Sequence, residues 1–130
     1  MTIQKVIDKV LELKEGMLDE ADIIECINEV ELRATYMIIN QSEDGKNYSF
    51  TPYTSDTDKT TILLIPSPWD SLYVDYTCSQ ADYNFAEYQR YNNEISMFNA
   101  KFKEYDNYYR MEHKPKKSTA KFNIRMRKEV

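Results

Sequence analysis

Seven large side chains in the second half of the chain recur at alternating steps of three and four residues. They are Tyr88, Tyr91, Ile95, Phe98, Phe102, Tyr105 and Tyr109. This spacing places them on one stripe of a helix about six turns long, with polar residues between them. Such stripes usually face a core, but tyrosine can also face a wet protein surface. The stripe therefore predicts a helical fold and favours a protein that acts by contact with other proteins. Tyr108 lies off the stripe and is expected to be available to a partner.

Composition limits the fold and the compartment. The chain has 130 residues, of which 42% are apolar, and this is enough for one domain with its own core. Two glycines and four prolines are too few turn residues for a β-sandwich or barrel. Cys26 and Cys78 are far apart and are expected to be buried free thiols in a reducing compartment. No signal-peptide pattern or membrane-length apolar run occurs, so we expect a soluble protein made in the cytosol.

The pattern of apolar residues predicts four helices. The first begins after Thr2, which can act as its N-cap, and the second begins near Asp19. The third is expected to begin at Ser67, with Pro68 in its first turn. It is apolar on two sides and should lie centrally in the fold. The apolar stripe moves to a different side of the helix at residues 84–86, which predicts a break before the fourth helix.

A long polar segment separates the second helix from the third. Residues 40–66 are rich in Asn, Ser, Asp, Thr and Pro. A β-hairpin folded on the helices and a loop ordered by a partner are both compatible with this composition. The predicted fold is an all-α bundle of about four helices, with a long central loop or β-hairpin and an extended C-terminal tail. The predicted core includes Ile27, Trp69, Leu72, Tyr76, Ile95, Phe98 and Phe102.

The charge is distributed unevenly along the chain. Residues 1–111 contain ten Lys or Arg and twenty Asp or Glu, a net charge of −10. Residues 112–130 contain seven Lys or Arg and two Glu, a net charge of +5. We therefore divide the chain into a helical domain, 1–111, and a basic tail, 112–130. The tail could bind nucleic acid or an acidic protein surface, and the acidic domain favours the second. Its alternation of apolar and polar residues over 122–127 is typical of a strand added to another protein.

No pattern in the sequence indicates catalysis. His113 is the only histidine and lies in the basic tail beside Lys114, so a catalytic triad cannot be formed. Gly16 and Gly45 stand alone and cannot form a phosphate-binding loop. Asp56 and Asp58 lack the glycine and glutamate of a calcium loop. We expect no enzyme activity, no metal and no cofactor.

Five short segments, in this order and spacing, resemble a known family. They are residues 53–58 (YTSDTD), 63–66 (LLIP), 69–73 (WDSLY), 88–93 (YQRYNN) and 97–99 (MFN). Together they are similar to the head–tail connector proteins, also called head-completion or adaptor proteins, of tailed phages and prophages of Gram-positive bacteria. The resemblance covers about residues 1–115. The tail after residue 115 is longer and more basic than the family pattern.

The resemblance implies a structural protein of the virion neck, assembled in the host cytoplasm. Such adaptors form a ring, commonly of twelve copies, between the capsid portal and the next neck or tail-completion protein, and DNA passes through the ring without specific binding. No membrane is involved. The residues expected to dock on the portal are Lys114, Lys116, Lys117, Lys121, Phe122, Ile124, Arg125, Arg127 and Lys128. The loop residues expected to contact neighbouring subunits or the next neck protein are Tyr48, Phe50, Tyr53, Asp56 and Asp58. The alternative is a phage-encoded nucleic-acid-binding or regulatory protein that uses the basic tail.

Overall fold

Helices account for most of the fold. The computed structural model describes residues 1–43 and 47–114. These form four α-helices: α1 (Ile3–Leu13), α2 (Glu20–Met37), α3 (Leu72–Asn84) and α4 (Tyr88–Glu112). A single turn of 3-10 helix, Ile39–Gln41, follows α2. The prediction of an all-α fold with four helices is confirmed. The described part of the central loop contains no hairpin, and Ile62 forms an isolated antiparallel bridge with Thr2.

Side-chain caps fix the starts of the first two helices. The Thr2 hydroxyl accepts a hydrogen bond from the backbone N–H of Lys5 at 3.2 Å. At α2, the Asp19 carboxylate accepts from the N–H of Asp22 at 2.9 Å, and the Asp22 carboxylate accepts from the N–H of Asp19 at 3.4 Å. These bonds satisfy N–H groups that the helix itself leaves unpaired. Both starts agree with the sequence-based prediction.

The third helix begins later than predicted. Residues 67–71 form turns, the Ser67–Pro68 peptide bond is cis, and α3 starts at Leu72. The Asp70 carboxylate pairs with the Met1 ammonium at 3.2 Å and makes no cap. Trp69 packs against Tyr105 of α4, with ring centroids 5.5 Å apart. These long-range contacts give the segment a non-helical path that local sequence could not predict.

The third helix is central in the fold, as its two apolar sides predicted. It packs against α1, α2 and α4, and nine of its thirteen residues are buried. The break before α4 lies at the expected place, where Ala86 adopts a φ of +60°. The N–H of Glu87 then donates to the Asp82 carbonyl at 2.8 Å, closing the end of α3.

One core is shared by all four helices. Ile27, Leu72, Tyr76 and Phe98 are buried, and Trp69, Ile95 and Phe102 are partly buried against them. Met37 lies in the last turn of α2 and is exposed. The remaining buried apolar residues are Ile3, Val6, Ile7, Val10, Ile23, Ile24, Val30, Ala34, Ile38, Phe50, Leu63, Ile65, Tyr73, Val74, Ala81, Tyr105 and the two cysteines.

The aromatic stripe of α4 is buried only in its middle. Phe98 and Tyr105 are buried, whereas Tyr88 is exposed. The helix has 25 residues and α3 has 13, so α3 cannot cover both ends of α4. Tyr108 is exposed, as expected, but its ring also packs on Trp69 with centroids 4.7 Å apart. It is therefore held in place by its own chain.

The two cysteines are buried and are not joined to each other. Cys26 lies in α2 and Cys78 in α3. Burial is the main reason that the pKa of each thiol is raised to about 12, and nearby carboxylates raise it further. Both thiols are therefore protonated and unreactive in the folded chain.

Candidate interaction surfaces

The central loop is attached to the helices through a buried glutamate. Glu31 lies on the inner face of α2 and is fully buried. Its carboxylate accepts hydrogen bonds from the Tyr53 hydroxyl at 2.8 Å, the Leu64 N–H at 3.0 Å and the Tyr73 hydroxyl. The Tyr73 hydroxyl accepts in turn from the N–H of Ile65 at 2.9 Å. We call these five residues the Glu31 cluster. It connects α2 and α3 with the loop at residue 53 and at residues 64–65.

Burial is the main influence on the ionisation of Glu31. Burial raises the pKa of Glu31, although the hydrogen bonds from Tyr73, Leu64 and Tyr53 oppose the rise. Burial and the neighbouring Glu31 carboxylate also raise the pKa of Tyr73. The donors to Glu31 among residues 1–43 and 47–114 are all neutral groups, so the cluster depends there on hydrogen-bond geometry and not on opposite charge.

A second attachment joins the loop to α2 through Asn28. The Asn28 side chain donates to the Tyr53 carbonyl at 3.0 Å and accepts from the Tyr53 N–H at 2.8 Å. Further along, the Asn40 amide donates to the Tyr48 carbonyl at 2.9 Å. The described loop residues are thus ordered by contacts within their own chain.

The loop residues that were expected to contact partners fall into two groups, those that face the helices and those that are exposed. Phe50 is buried and Tyr53 is half-buried, so the structure places both toward the helices. Tyr48, Asp56 and Asp58 are exposed and remain available. The Asp58 carboxylate accepts from the N–H and hydroxyl of Thr60 at 2.9 and 2.7 Å, which lowers its pKa. Asp58 is thereby a turn-forming residue on the loop surface.

A groove lies between the first half of α2 and the loop. Its volume is about 470 Å³, within the range of ligand-binding pockets. Its sides are formed by Ala21, Ile24 and Asn28 of α2 and by Tyr53, Thr54 and Ser55 of the loop. Glu20 and Glu25 also line it, and Glu20 is paired with Lys59 at 3.4 Å. The groove is mostly apolar inside and acidic at its rim.

A second group of buried charges lies where α1 ends, α3 ends and α4 begins. The Lys14 ammonium is 2.9 Å from the Asp82 carboxylate and 3.2 Å from the Glu94 carboxylate. The Asp82 side chain is fully buried, and Glu94 is one-fifth exposed. We call these residues the Lys14 cluster. When both carboxylates are ionised, the buried oxygens Asp82 Oδ1, Asp82 Oδ2 and Glu94 Oε2 accept no hydrogen bond from the described residues, although Asp82 Oδ2 contacts the Lys14 ammonium.

Two carboxylates share one cation in the Lys14 cluster, and their pKa values move apart. Burial first, and then Asp82, raise the pKa of Glu94 to about 7. Burial opposes the charged form of Asp82, but hydrogen bonds with Glu94 and Lys14 outweigh it and lower the pKa of Asp82. Hydrogen bonds to both carboxylates likewise outweigh burial and raise the pKa of Lys14. When Glu94 is protonated, its carboxyl group can donate a hydrogen bond to Asp82, which an ionised Glu94 cannot do.

Large exposed apolar side chains occur at both ends of α4. Tyr83, Phe85 and Tyr88 surround the turn between α3 and α4 and are each more than half exposed. The Tyr83 ring lies 5.8 Å from the Tyr88 ring. We call these three residues the turn patch. Tyr108 and Met111, one turn apart near the other end of α4, form the end patch, in which Met111 is 84% exposed.

The residues expected to dock on the portal lie outside the described residues, apart from Lys114. The Lys114 carbonyl accepts from the N–H of Glu43 at 2.9 Å, so Lys114 lies close to the segment that follows α2. His113 stacks on Tyr109 with ring centroids 3.9 Å apart. Within residues 1–43 and 47–114, no three His, Cys, Asp or Glu residues are grouped as metal ligands.

Comparison with known proteins found no matching family model, no similar curated protein and no similar solved structure. No helix of the described residues is both long enough and apolar enough to cross a membrane.

The sequence interpretation missed both charged clusters. Glu31 could have been noticed, because it lies on the same face of α2 as Ile27 and Ala34, where a charge is unexpected. Lys14, Asp82 and Glu94 are distant in sequence and lie among other charged or polar residues. No local pattern distinguishes them, since only the packing of three helix ends brings them together.

Proposed function

We propose that this chain is a structural adaptor of a phage neck, forming a ring between the capsid portal and the next head–tail joining component. The observation on which the proposal mainly depends is the presence of two different exposed apolar patches on one chain. A ring of identical subunits needs a heterologous contact, in which one surface of each copy binds a different surface of the next. The turn patch and the end patch are separated by about 35 Å along α4, and this suits opposite sides of a subunit.

The segments that resemble the connector family support the proposal in a second way. Tyr53, Leu64 and Tyr73 belong to three of those segments, and all three donate to Glu31. Their order and spacing therefore have one physical reason, because each supplies a donor to the same buried carboxylate. The resemblance then concerns the framework of the fold, on which partner-binding surfaces are placed.

The charge of the helical domain fits a channel for DNA. Residues 1–111 carry a net charge of −10, and phosphate groups are repelled by such a surface. A channel wall of this kind lets DNA slide without binding. The basic tail has the opposite charge and is the segment that we assign to the portal. The exposed loop residues Tyr48, Asp56 and Asp58 are assigned to the neighbouring subunit or the next neck protein, and no reaction is assigned to the chain.

The portal contact is tested with the full chain and the portal protein encoded by the same phage or prophage. We expect the two proteins to co-purify, and the double variant Arg125→Glu and Arg127→Glu to lose binding. The matched control is Lys103→Glu with Arg110→Glu, which makes the same change of charge on the exposed side of α4. Failure of the unmodified chain to bind portal or procapsid would refute the adaptor proposal.

The heterologous contact is tested by mixing two variants. Phe85→Ser damages the turn patch and Met111→Ser damages the end patch, and each variant alone should fail to form rings on the portal. Mixed together, the two variants retain one intact patch each and should form pairs that do not grow further. Rings of normal size from either variant would show that these patches are not the subunit contacts.

The basic tail supports the alternative of a nucleic-acid-binding or regulatory protein. Seven of the nine charged residues in 112–130 are Lys or Arg. This alternative predicts affinity for duplex DNA that falls steeply with salt and is lost in the Arg125→Glu and Arg127→Glu variant. Such binding, combined with no binding to portal, would replace the adaptor proposal.

A further inference from the structure

The groove between α2 and the loop matches one segment of this chain in length, polarity and charge. We propose that residues 122–126 of the same chain occupy the groove before assembly. The tail is then held on its own helical domain until another surface displaces it. This inference goes beyond the adaptor function, since it concerns the chain without its partners.

Polarity and length give the first argument. The groove runs along α2 from Glu20 to Asn28, about 12 Å at the rise of a helix. In an extended segment, Phe122, Ile124 and Met126 project on one side over about 13 Å. Three apolar side chains at this spacing match an apolar groove of about 470 Å³.

Charge gives the second argument. Glu20 and Glu25 line the groove, and Lys59 already pairs with Glu20, which leaves Glu25 as the exposed charge at the rim. The residues that alternate with the apolar ones include Arg125 and Arg127. Their long side chains can extend to the rim while the segment stays in the groove. A neutral small molecule would not use this rim, so the tail is the better occupant.

The point at which the tail begins gives the third argument. The Lys114 carbonyl is bonded to the Glu43 N–H, only six residues after the end of α2. The near end of the groove, at Asn28, lies about 14 Å back along α2 from Met37. Residues 114–122 span up to about 26 Å when extended, so the segment reaches the groove of its own chain.

A cysteine cross-link in the full-length chain tests the proposal. Ala21→Cys places a thiol in the exposed part of the groove, and Ile124→Cys places one in the tail. The control pair is Met97→Cys with Ile124→Cys, because Met97 is exposed on α4 and about 25 Å from Lys114 along the helix. The native thiols are buried and do not interfere. Circular dichroism verifies that both double variants are folded.

Oxidation with glutathione disulfide should join the thiols introduced by Ala21→Cys and Ile124→Cys within one chain roughly tenfold faster than those of the control pair, because docking raises their effective concentration. Adding Glu25→Lys should remove most of this advantage, whereas the matched change Glu12→Lys on α1 should not. Equal rates for the two pairs would overturn the proposal, and so would disulfide-linked dimers, which would assign the groove to the tail of a second copy. The experiment contains no portal protein, so its result and the test of the adaptor function are independent.

Discussion

The Glu31 cluster and the Lys14 cluster place carboxylates inside the same bundle by different means. Within the described residues, Glu31 is paired with no cation, and its carboxylate accepts from two tyrosine hydroxyls and a backbone N–H. Asp82 and Glu94 share the cation of Lys14, but when both are ionised each has a buried oxygen with no hydrogen-bond donor among the described residues. The Glu31 cluster depends on hydrogen-bond geometry and holds the loop on the helices. The Lys14 cluster depends on how many protons the two carboxylates hold, so it responds to pH.

The largest effect is expected from Glu31→Ala. This change leaves the Tyr73 hydroxyl and the Leu64 N–H without an acceptor in a buried site, and it also creates a cavity. We expect the free energy of unfolding to fall by about 4 kcal/mol. Urea denaturation measures the loss. Glu12→Ala, which removes an exposed carboxylate from α1, should change stability by less than about 0.5 kcal/mol. Similar effects for the two variants would mean that the Glu31 cluster does not stabilise the fold.

The hydroxyl groups of the Glu31 cluster should differ in importance. Tyr73→Phe removes a donor to Glu31 and leaves the Ile65 N–H unpaired, so a loss of about 3 kcal/mol is expected. Tyr53→Phe removes one donor at a half-buried position and should cost about 1 kcal/mol. The same denaturation experiment compares the two variants, and each serves as the control for the other. A larger loss for Tyr53→Phe would reverse the proposed order.

The Lys14 cluster should give stability a particular dependence on pH. The pKa of Glu94 is raised in the folded chain, so the folded chain binds this proton more tightly than the unfolded chain. Its contribution is complete below the usual glutamate pKa and is lost as pH rises to about 7. Glu94→Gln removes this loss, so the difference in stability between about pH 5 and about pH 8 should change by on the order of 2 kcal/mol.

Two other buried carboxylates, Glu31 and Asp82, do not affect the comparison of Glu94→Gln with the unmodified chain. The raised pKa of Glu31 has the same sign, but Glu31 is present in both proteins and cancels in the comparison. The lowered pKa of Asp82 affects stability only below its usual range, outside the interval measured. Glu104→Gln, an exposed change on α4, is the control and should leave the pH profile unaltered. Identical profiles for Glu94→Gln and the unmodified chain would contradict the prediction.

The smallest effect is expected from an exposed ion pair on the same helix as Glu94. Arg110 donates to the Asp106 carboxylate at 2.7 Å, one turn away on the surface of α4. Arg110→Ala should lower stability by only about 0.4 kcal/mol and should be less harmful at high salt. Thermal unfolding at low and high salt measures both values. A cost comparable with that of Glu31→Ala would show that burial is not what separates strong from weak charge contacts here.

The sequence contained enough information for the helices but not for the charged clusters. Local signals, such as the Thr2 cap, the Asp19 cap and the period of the α4 stripe, predict where helices form. Pro68 shows where local signals are insufficient, because the path of its segment depends on contacts of Asp70 and Trp69 with distant residues. The groove could not be predicted either, since it exists only after the loop is attached to α2 by Asn28.

The two buried cysteines can report on the opening of the helices that contain them. Because Cys26 and Cys78 are protonated and enclosed, an alkylating reagent can modify them only when α2 or α3 separates from its neighbours. The rate of modification at each position therefore measures how often that helix opens, without any added label. Cys78 is close enough to Glu94 for that carboxylate to affect its pKa, so its rate also reports on the charged end of the bundle. Rates measured with and without a bound partner would show which helix the partner holds closed.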